Sequence, residues 1–237
     1  MAQHEESLWW YRGLRGIVLE LVARFAPPQS FTLLDAGCGT GGMLAHLARR
    51  FPAAQMHGLD YAERACTLAR ERSSADIRCG SVDKMPYGDA SFDVIVSLDV
   101  LDADDVDPRR ALAEFRRCLR PGGLLVLNLA AYQWLLSWHD RAVGQSRRYS
   151  LAGISGELAA AGFARRYGGY WNTLLFPFMV LHRKVWPAGD RTASTVEAFP
   201  APANALFAAL VGIERRWIAA GGRLPFGGSV LCVAGKE

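Results

Sequence analysis

The segment LLDAGCGTGG, residues 33–42, sets Gly37, Gly39 and Gly42 in a G-x-G-x-x-G pattern between an apolar run and a helical one. Glycines at such a turn let the backbone approach a ligand closely, and the carboxyl end of a first strand is where doubly wound sheets hold nucleotides. The pattern admits any adenosine-bearing ligand, NAD included. Two carboxylates add information. Asp35 stands two residues before Gly37, where it repels a pyrophosphate but can hold the ammonium of an amino-acid ligand, directly or through water. Asp60 follows Gly37 by 23 residues, the place from which a carboxylate accepts hydrogen bonds from ribose hydroxyls. Taken singly, each feature has a plainer use: the glycines a tight turn, Asp35 a helix cap. Cys38, inside the loop, has no histidine near it in sequence and reads as a small loop side chain, so no covalent chemistry is expected.

Such groups need a sheet edge to hold them. Short, mostly apolar strand signals at 31–36, 54–60, 75–80, 92–98 and 123–129 alternate with helical spacing at 40–51, 62–72 and 108–119, which predicts a parallel sheet. Pro121, Gly122 and Gly123 are expected to end the last of these helices. Leu14, Val18, Leu21 and Phe25 predict a capping helix over 5–25, entered through Trp9, Trp10 and Tyr11 and stopped by Pro27 and Pro28. After 129 come a charged segment (138–148), a helix (150–161) and a strand-like stretch (163–171). About 55 residues, with the apolar run LLFPFMVL (174–181) and a helix over 204–219, then delay a final strand at 229–234.

The ordered set of Asp35 with its glycine loop, Asp60, FDVIVSLDVL (92–101) and CLRPGGLLVLNL (118–129) resembles the class I S-adenosylmethionine-dependent methyltransferases over roughly 31–129. The resemblance implies a doubly wound, Rossmann-like α/β sheet of seven strands with the last antiparallel, here carrying an N-terminal helical cap and an insertion between the last two strands. It also implies S-adenosylmethionine as cofactor: Asp35, Gly37, Cys38 and Gly39 at its methionine end, Asp60 at the ribose, Tyr61 or Met85 on the adenine faces. The family's usual acid after the third strand is replaced by Ser81, leaving Ser81, the Val82 amide or Asp83 for the adenine amino group. Its frequent Glu-His after the fourth strand is here Asp102-Ala103, which makes Asp99 the cofactor-side polar group.

Methyl transfer from a sulfonium is an in-line displacement that needs alignment and exclusion of water, and a base only where the acceptor loses a proton. His139, Asp140, Arg141, Arg147, Arg148 and Tyr149 fall within eleven residues. They read as a base or positioning group (His139), its orienter (Asp140) and an anion clamp (Arg147, Arg148), or else as a solvated loop with salt bridges. With the Trp-Trp-Tyr start and NTLLFP (172–177), this stretch resembles a bacterial subgroup with His-Asp and Arg-Arg-Tyr here, some members of which are linked to envelope or lipid-carrier synthesis. Tyr11, Tyr132 and Tyr170 are further acceptor-side candidates, and Trp9 to Tyr11 form either a lid or a packed helix entry.

Composition narrows the rest. Half the residues are hydrophobic (51%), 21% are charged, and the net charge of +4, almost wholly from 24 Arg against 3 Lys, is too small and scattered to indicate nucleic acid as partner. The five cysteines lack ligand spacing and are expected as reduced, mostly buried thiols of a cytoplasmic protein without a signal peptide. No apolar run reaches the ~20 residues of a membrane span, although the insertion could lie on a membrane, line a greasy acceptor site or pair with a second subunit. The acids Asp99, Asp102, Asp104, Asp105 and Asp107 are expected as an exposed loop and helix start, with no metal. The reading is one methyltransferase domain over 1–237, with a cap (1–28), a cofactor core (29–130) and an acceptor-side region (131–237) inserted at 174–228, acting on a small or lipid-like acceptor at oxygen or nitrogen. Its rivals are an NAD(P)-dependent oxidoreductase and a non-catalytic adenosyl-binding, membrane-associated module.

Overall fold

The computed structural model describes residues 8–185 and 200–237. The acidic start of the chain (1–7) and the middle of the insertion (186–199) lie outside the described residues. In chain order the elements are α1 (Trp9–Phe25), β1 (Thr32–Ala36), α2 (Gly42–Arg50), β2 (Gln55–Asp60), α3 (Glu63–Arg72), β3 (Asp76–Cys79), β4 (Phe92–Leu98), α4 (Pro108–Cys118), β5 (Leu119–Ala130), α5 (Trp138–Ala142), α6 (Leu151–Ala160), β6 (Phe163–Trp171), α7 (Phe176–Val185), α8 (Ala201–Ala219) and β7 (Ser229–Lys236). The sheet order is β3-β2-β1-β4-β5-β7-β6, and β7 runs antiparallel between β5 and β6. This is the doubly wound, seven-stranded arrangement expected, with α7 and α8 inserted between its last two strands.

The inner strands β1, β4, β5 and β7 are buried along most of their length and correspondingly apolar. One face packs Leu34, Ile95, Leu125 and Leu127 beneath α4 and α6 through Leu112, Phe115, Ile154 and Leu158. The other packs Leu33, Val94, Val126 and Trp171 beneath α1, α2 and α8 through Ile17, Leu21, Leu47, Val211 and Ile218. The cap is therefore a helix shared between the sheet and the insertion. Register places Asp35 beside Gly58 of β2 and Val96 of β4, so the ends of three strands meet at one edge.

Two local expectations change. Helix α4 ends at Cys118, before Pro121, because Leu119 already pairs with Phe92 and the register then shifts to Val94 with Leu124; Pro121 and Gly122 sit in that irregularity. Cys66 and Cys79 are joined by a disulfide between α3 and the end of β3, while Cys38, Cys118 and Cys232 are buried thiols. Pro177 begins α7 without harm, since the first turn of a helix needs no N–H from it.

Candidate active site

The turn after β1 is anchored on the neighbouring strand: the amides of Gly37 and Cys38 both donate to the Leu59 carbonyl, at 2.7 and 2.9 Å. Gly37 and Gly39 have φ of 88° and 52°, a region closed to most side chains. They differ in what surrounds them. A Cβ on Gly37 would lie 2.2 Å from Val100 Cγ2, whereas one on Gly39 would meet nothing within 4 Å. The space before Gly39 is thus open, and Asp60 frames it by accepting from the Gly39 amide (2.8 Å) through Oδ2 and from the Ala62 amide (3.0 Å) through Oδ1. Each oxygen keeps a second lone pair for a ligand hydroxyl.

Asp35 is 1% exposed, and its Oδ2 has no hydrogen-bond partner among the described residues. Burial first, then the charge of Asp60, pushes its carboxyl up to about 7. An orphaned buried acid beside a second carboxylate is poor company for a pyrophosphate and good company for an ammonium. The residues present fit the amino-acid end of S-adenosylmethionine. Burial, with Asp35 and Asp60 nearby, also pushes the Cys38 thiol far up, so it stays neutral.

On the adenine side, Tyr61 is 72% exposed directly after Asp60, and the Ser81 hydroxyl accepts from the Asp83 amide (3.1 Å). Asp83 Oδ2 accepts from the Asp107 amide (3.1 Å), tying this loop to the start of α4, while Oδ1 has no partner among the described residues. The side chains of Val82 and Met85 are buried in the core, and the Met85 amide donates to Glu114. Met85 is therefore covered where an adenine-facing side chain was expected.

Across the sheet edge, Asp99 has φ of 55° and accepts from Asn128 Nδ2 (2.9 Å), whose Oδ1 accepts from Trp171 Nε1 (2.8 Å). This chain crosses from β4 through β5 to β6. Burial, then the charge of Asp102, raises the Asp99 carboxyl well above the usual range. Asp102 is fully buried, which corrects its expected place in an exposed loop: Oδ2 accepts from Gln145 (3.1 Å), Oδ1 has no partner among the described residues, and burial pushes its carboxyl up to about 6. Asp104, Asp105 and Asp107 are exposed, and Asp107 caps α4.

The segment after β5 departs most from expectation. Asp140 is 2% exposed and takes Arg148 on both oxygens, Nη2 at 2.5 Å and Nε at 3.2 Å, while Oδ2 also accepts from Ser137 in a capping box. Its carboxylate serves as counter-ion to Arg148. Arg148 Nη1 donates to the Ala131 carbonyl (2.9 Å), and Arg147 Nη1 donates to the carbonyls of Ala103 (2.6 Å) and Val106 (3.0 Å). Both guanidinium groups of the expected anion clamp thus reach protein acceptors and brace this segment. His139 is half-buried on α5, edge-on to Trp138.

An aromatic wall stands beside this brace. Tyr132 (φ 62°) stacks on Tyr170 at 5.3 Å, Phe176 of α7 meets Tyr132 at 5.6 Å, and the Tyr170 hydroxyl accepts from the Leu151 amide. A cavity of about 820 Å³ opens here, lined by Tyr132, Trp134, Arg109, Arg147 and Glu157. A larger one, about 990 Å³, lies between α4 and α6 near Pro121 and Lys236, at the opposite sheet edge from Asp35. Tyr11 packs against Trp10, which meets Trp171 at 5.7 Å, so the start of α1 adjoins the Asp99–Asn128–Trp171 chain. Glu214 of α8, 2% exposed, accepts from the amides of Asn172 (2.6 Å) and Leu174 (2.8 Å) and fastens the insertion to the end of β6.

Asn128, Trp171 and Glu214 escaped the sequence reading. Asn128 had a signal, as the one polar residue in LLVLNL; the partners of Trp171 and Glu214 lie 40 or more residues away and had none.

Residues 34–127 match the model of a methyltransferase domain family. The chain is 34% identical over 127 residues to a probable S-adenosylmethionine-dependent methyltransferase of Mycolicibacterium smegmatis, covering 52% of this chain and 46% of that one. It is 32% identical over 166 residues to a malonyl-[acyl-carrier protein] O-methyltransferase of Erwinia pyrifoliae, covering 66% and 61%. Among solved structures, a [4+2]-cyclase shares the fold with a TM-score of 0.62 at 24% identity, over 94% of this chain and 80% of that one. The chain spans about half the length of the curated relatives it matches. The family-model match contains this chain's glycine loop, both carboxylates and the Asp99 turn.

Proposed function

We propose that the chain is a class I S-adenosylmethionine-dependent methyltransferase that transfers the methyl group of that cofactor to oxygen or nitrogen of a small-molecule or lipid-like acceptor, a lipid-like one being met at a membrane surface. The observation that carries this reading is the orphaned Asp35 carboxylate beside Asp60, framing the open space at Gly39. Bound there, the cofactor supplies an electrophilic methyl group. In this proposal Asp35 holds the ammonium, Asp60 the ribose hydroxyls, Tyr61 an adenine face, and Ser81, the Val82 amide or Asp83 the adenine edge. In the same proposal residues 29–130 are the cofactor core, 1–28 the cap and 131–237 the acceptor side, and Tyr132 and Tyr170, with Tyr11 of the cap, exclude water and orient the acceptor.

Asp60→Ala is expected to weaken adenosylhomocysteine binding about ten- to a hundredfold, since hydrogen bonds to a charged group contribute roughly 1.5–3 kcal/mol. Calorimetry on the folded variant checks this, and an unchanged dissociation constant would place the ribose elsewhere. Asp35 gives a pH signature. With its carboxyl near 7 in the free protein, it is protonated and unable to pair with an ammonium at lower pH. Affinity for adenosylhomocysteine should fall as pH drops from 8 to 6, approaching tenfold per unit below 7, and Asp35→Asn should flatten the profile. A flat wild-type profile would remove Asp35 from the ligand.

If the acceptor must lose a proton, His139 is the proposed recipient. His139→Ala is then expected to lower turnover on a working acceptor by about a hundredfold at unchanged cofactor affinity. Full activity would eliminate it.

A further inference from the structure

Among the described residues, seven of the large apolar side chains left exposed belong to the insertion and the turn that follows it, among them Phe178 and Leu181 on α7 and Leu206, Ile213 and Trp217 on α8, each at least half exposed. Leu206, Ile213 and Trp217 are seven and four residues apart, which puts them in one stripe about 16 Å long on the outer face of α8. The stripe does not end at the helix. Phe178 meets Phe207 at 6.0 Å, Phe176 meets Phe226 at 5.7 Å, and Phe176 meets the exposed Trp134 at 6.4 Å, so apolar surface runs from α8 across α7 to the aromatic wall at Tyr132.

Charge distinguishes this face. Over 174–181 and 202–228 the one acid is Glu214, turned inward onto backbone amides, whereas Arg215, Arg216 and Arg223 are exposed. Among the described residues no helix is long and apolar enough to cross a membrane. An apolar stripe edged with tryptophan, flanked by arginine and free of exposed acid has the composition of a helix that lies in the headgroup layer of an anionic bilayer.

We propose that the α7–α8 face docks on the surface of an anionic phospholipid bilayer, setting the acceptor side of the site against it. The proposal shares with the methyltransferase reading only the lipid-like acceptor, and docking is measured without any acceptor.

The test is flotation of the full chain with vesicles of phosphatidylcholine alone and of phosphatidylcholine with 30% phosphatidylglycerol, a composition chosen to supply the ~30 mV negative surface potential of a cytoplasmic leaflet. Wild type should partition at least tenfold better to the anionic vesicles and lose the preference at high salt. Leu206→Ser with Ile213→Ser, and separately Arg216→Glu, should each reduce association at least fivefold while adenosylhomocysteine affinity stays unchanged. Arg216 is exposed, so its variant decides the matter if the serine pair melts early. No wild-type flotation, equal flotation of the variants, or a dimer that these substitutions dissociate in the absence of vesicle binding would overturn the proposal, the last by assigning the face to a second copy. Loss of adenosylhomocysteine binding by wild type would count against the cofactor site alone.

Discussion

Arg148→Ala is expected to lower the melting temperature by about 6–20 °C. The side chains of Arg148 and Asp140 are 4% and 2% exposed and joined by two contacts, with a third from Arg148 to the Ala131 carbonyl. Removing one partner of such a pair leaves the other charge buried without compensation, which costs about 3–5 kcal/mol, and each kcal/mol moves the melting point of a chain this size by about 2–4 °C. The damage should spread, because Arg148 braces the segment from Ala131 to Tyr149 that walls the acceptor side. Replacing both partners together, Arg148→Met with Asp140→Leu, should recover much of the loss, since an apolar pair carries no desolvation cost. Calorimetric melting of the single and double variants measures both effects. A surface anion clamp would behave otherwise, with the melting point within about a degree and only the acceptor KM raised.

Gly39→Val is expected to abolish cofactor binding, by more than a hundredfold, while the chain still folds. Its φ of 52° costs a β-branched residue about 1–2 kcal/mol, within the ordinary stability of a domain. No protein atom lies within 4 Å of the added Cβ, so what it displaces is the ligand. Gly37→Ala makes the contrast: there the Cβ strikes Val100, and the fold suffers before binding does. Circular dichroism with adenosylhomocysteine calorimetry separates the two. A folded Gly39→Val chain that binds normally would reject the glycine-loop assignment.

What could be read from the sequence was whatever depends on neighbours along the chain. Strand and helix signals are local, and Asp35, Gly37, Gly39 and Asp60 sit at the ends of such signals, so one turn and one strand end suffice to bring them together. The brace was hidden for the opposite reason. Asp140 lies at the third position of a short helix, where its carboxylate turns back to Ser137 and meets Arg148 eight residues on, a partner that adjacency does not point to. Burial decides that pairing, and burial is not visible in a run of polar residues. Asp102 shows the same limit: within five acids spread over nine residues, it alone is fully enclosed, by Ala130 and Gln145. The Cys66–Cys79 link joins residues 13 apart through the packing of α3 on β3, a contact no cysteine count specifies.

The most direct test is a calorimetric titration of the purified chain with adenosylhomocysteine, followed by the same titration with NADH. A methyltransferase site framed by Asp35 and Asp60 predicts one adenosylhomocysteine bound per chain and no heat from NADH, because the Asp35 carboxylate opposes a pyrophosphate. Saturable binding of NADH with none of adenosylhomocysteine would contradict the assignment and return the glycine loop to dinucleotide chemistry.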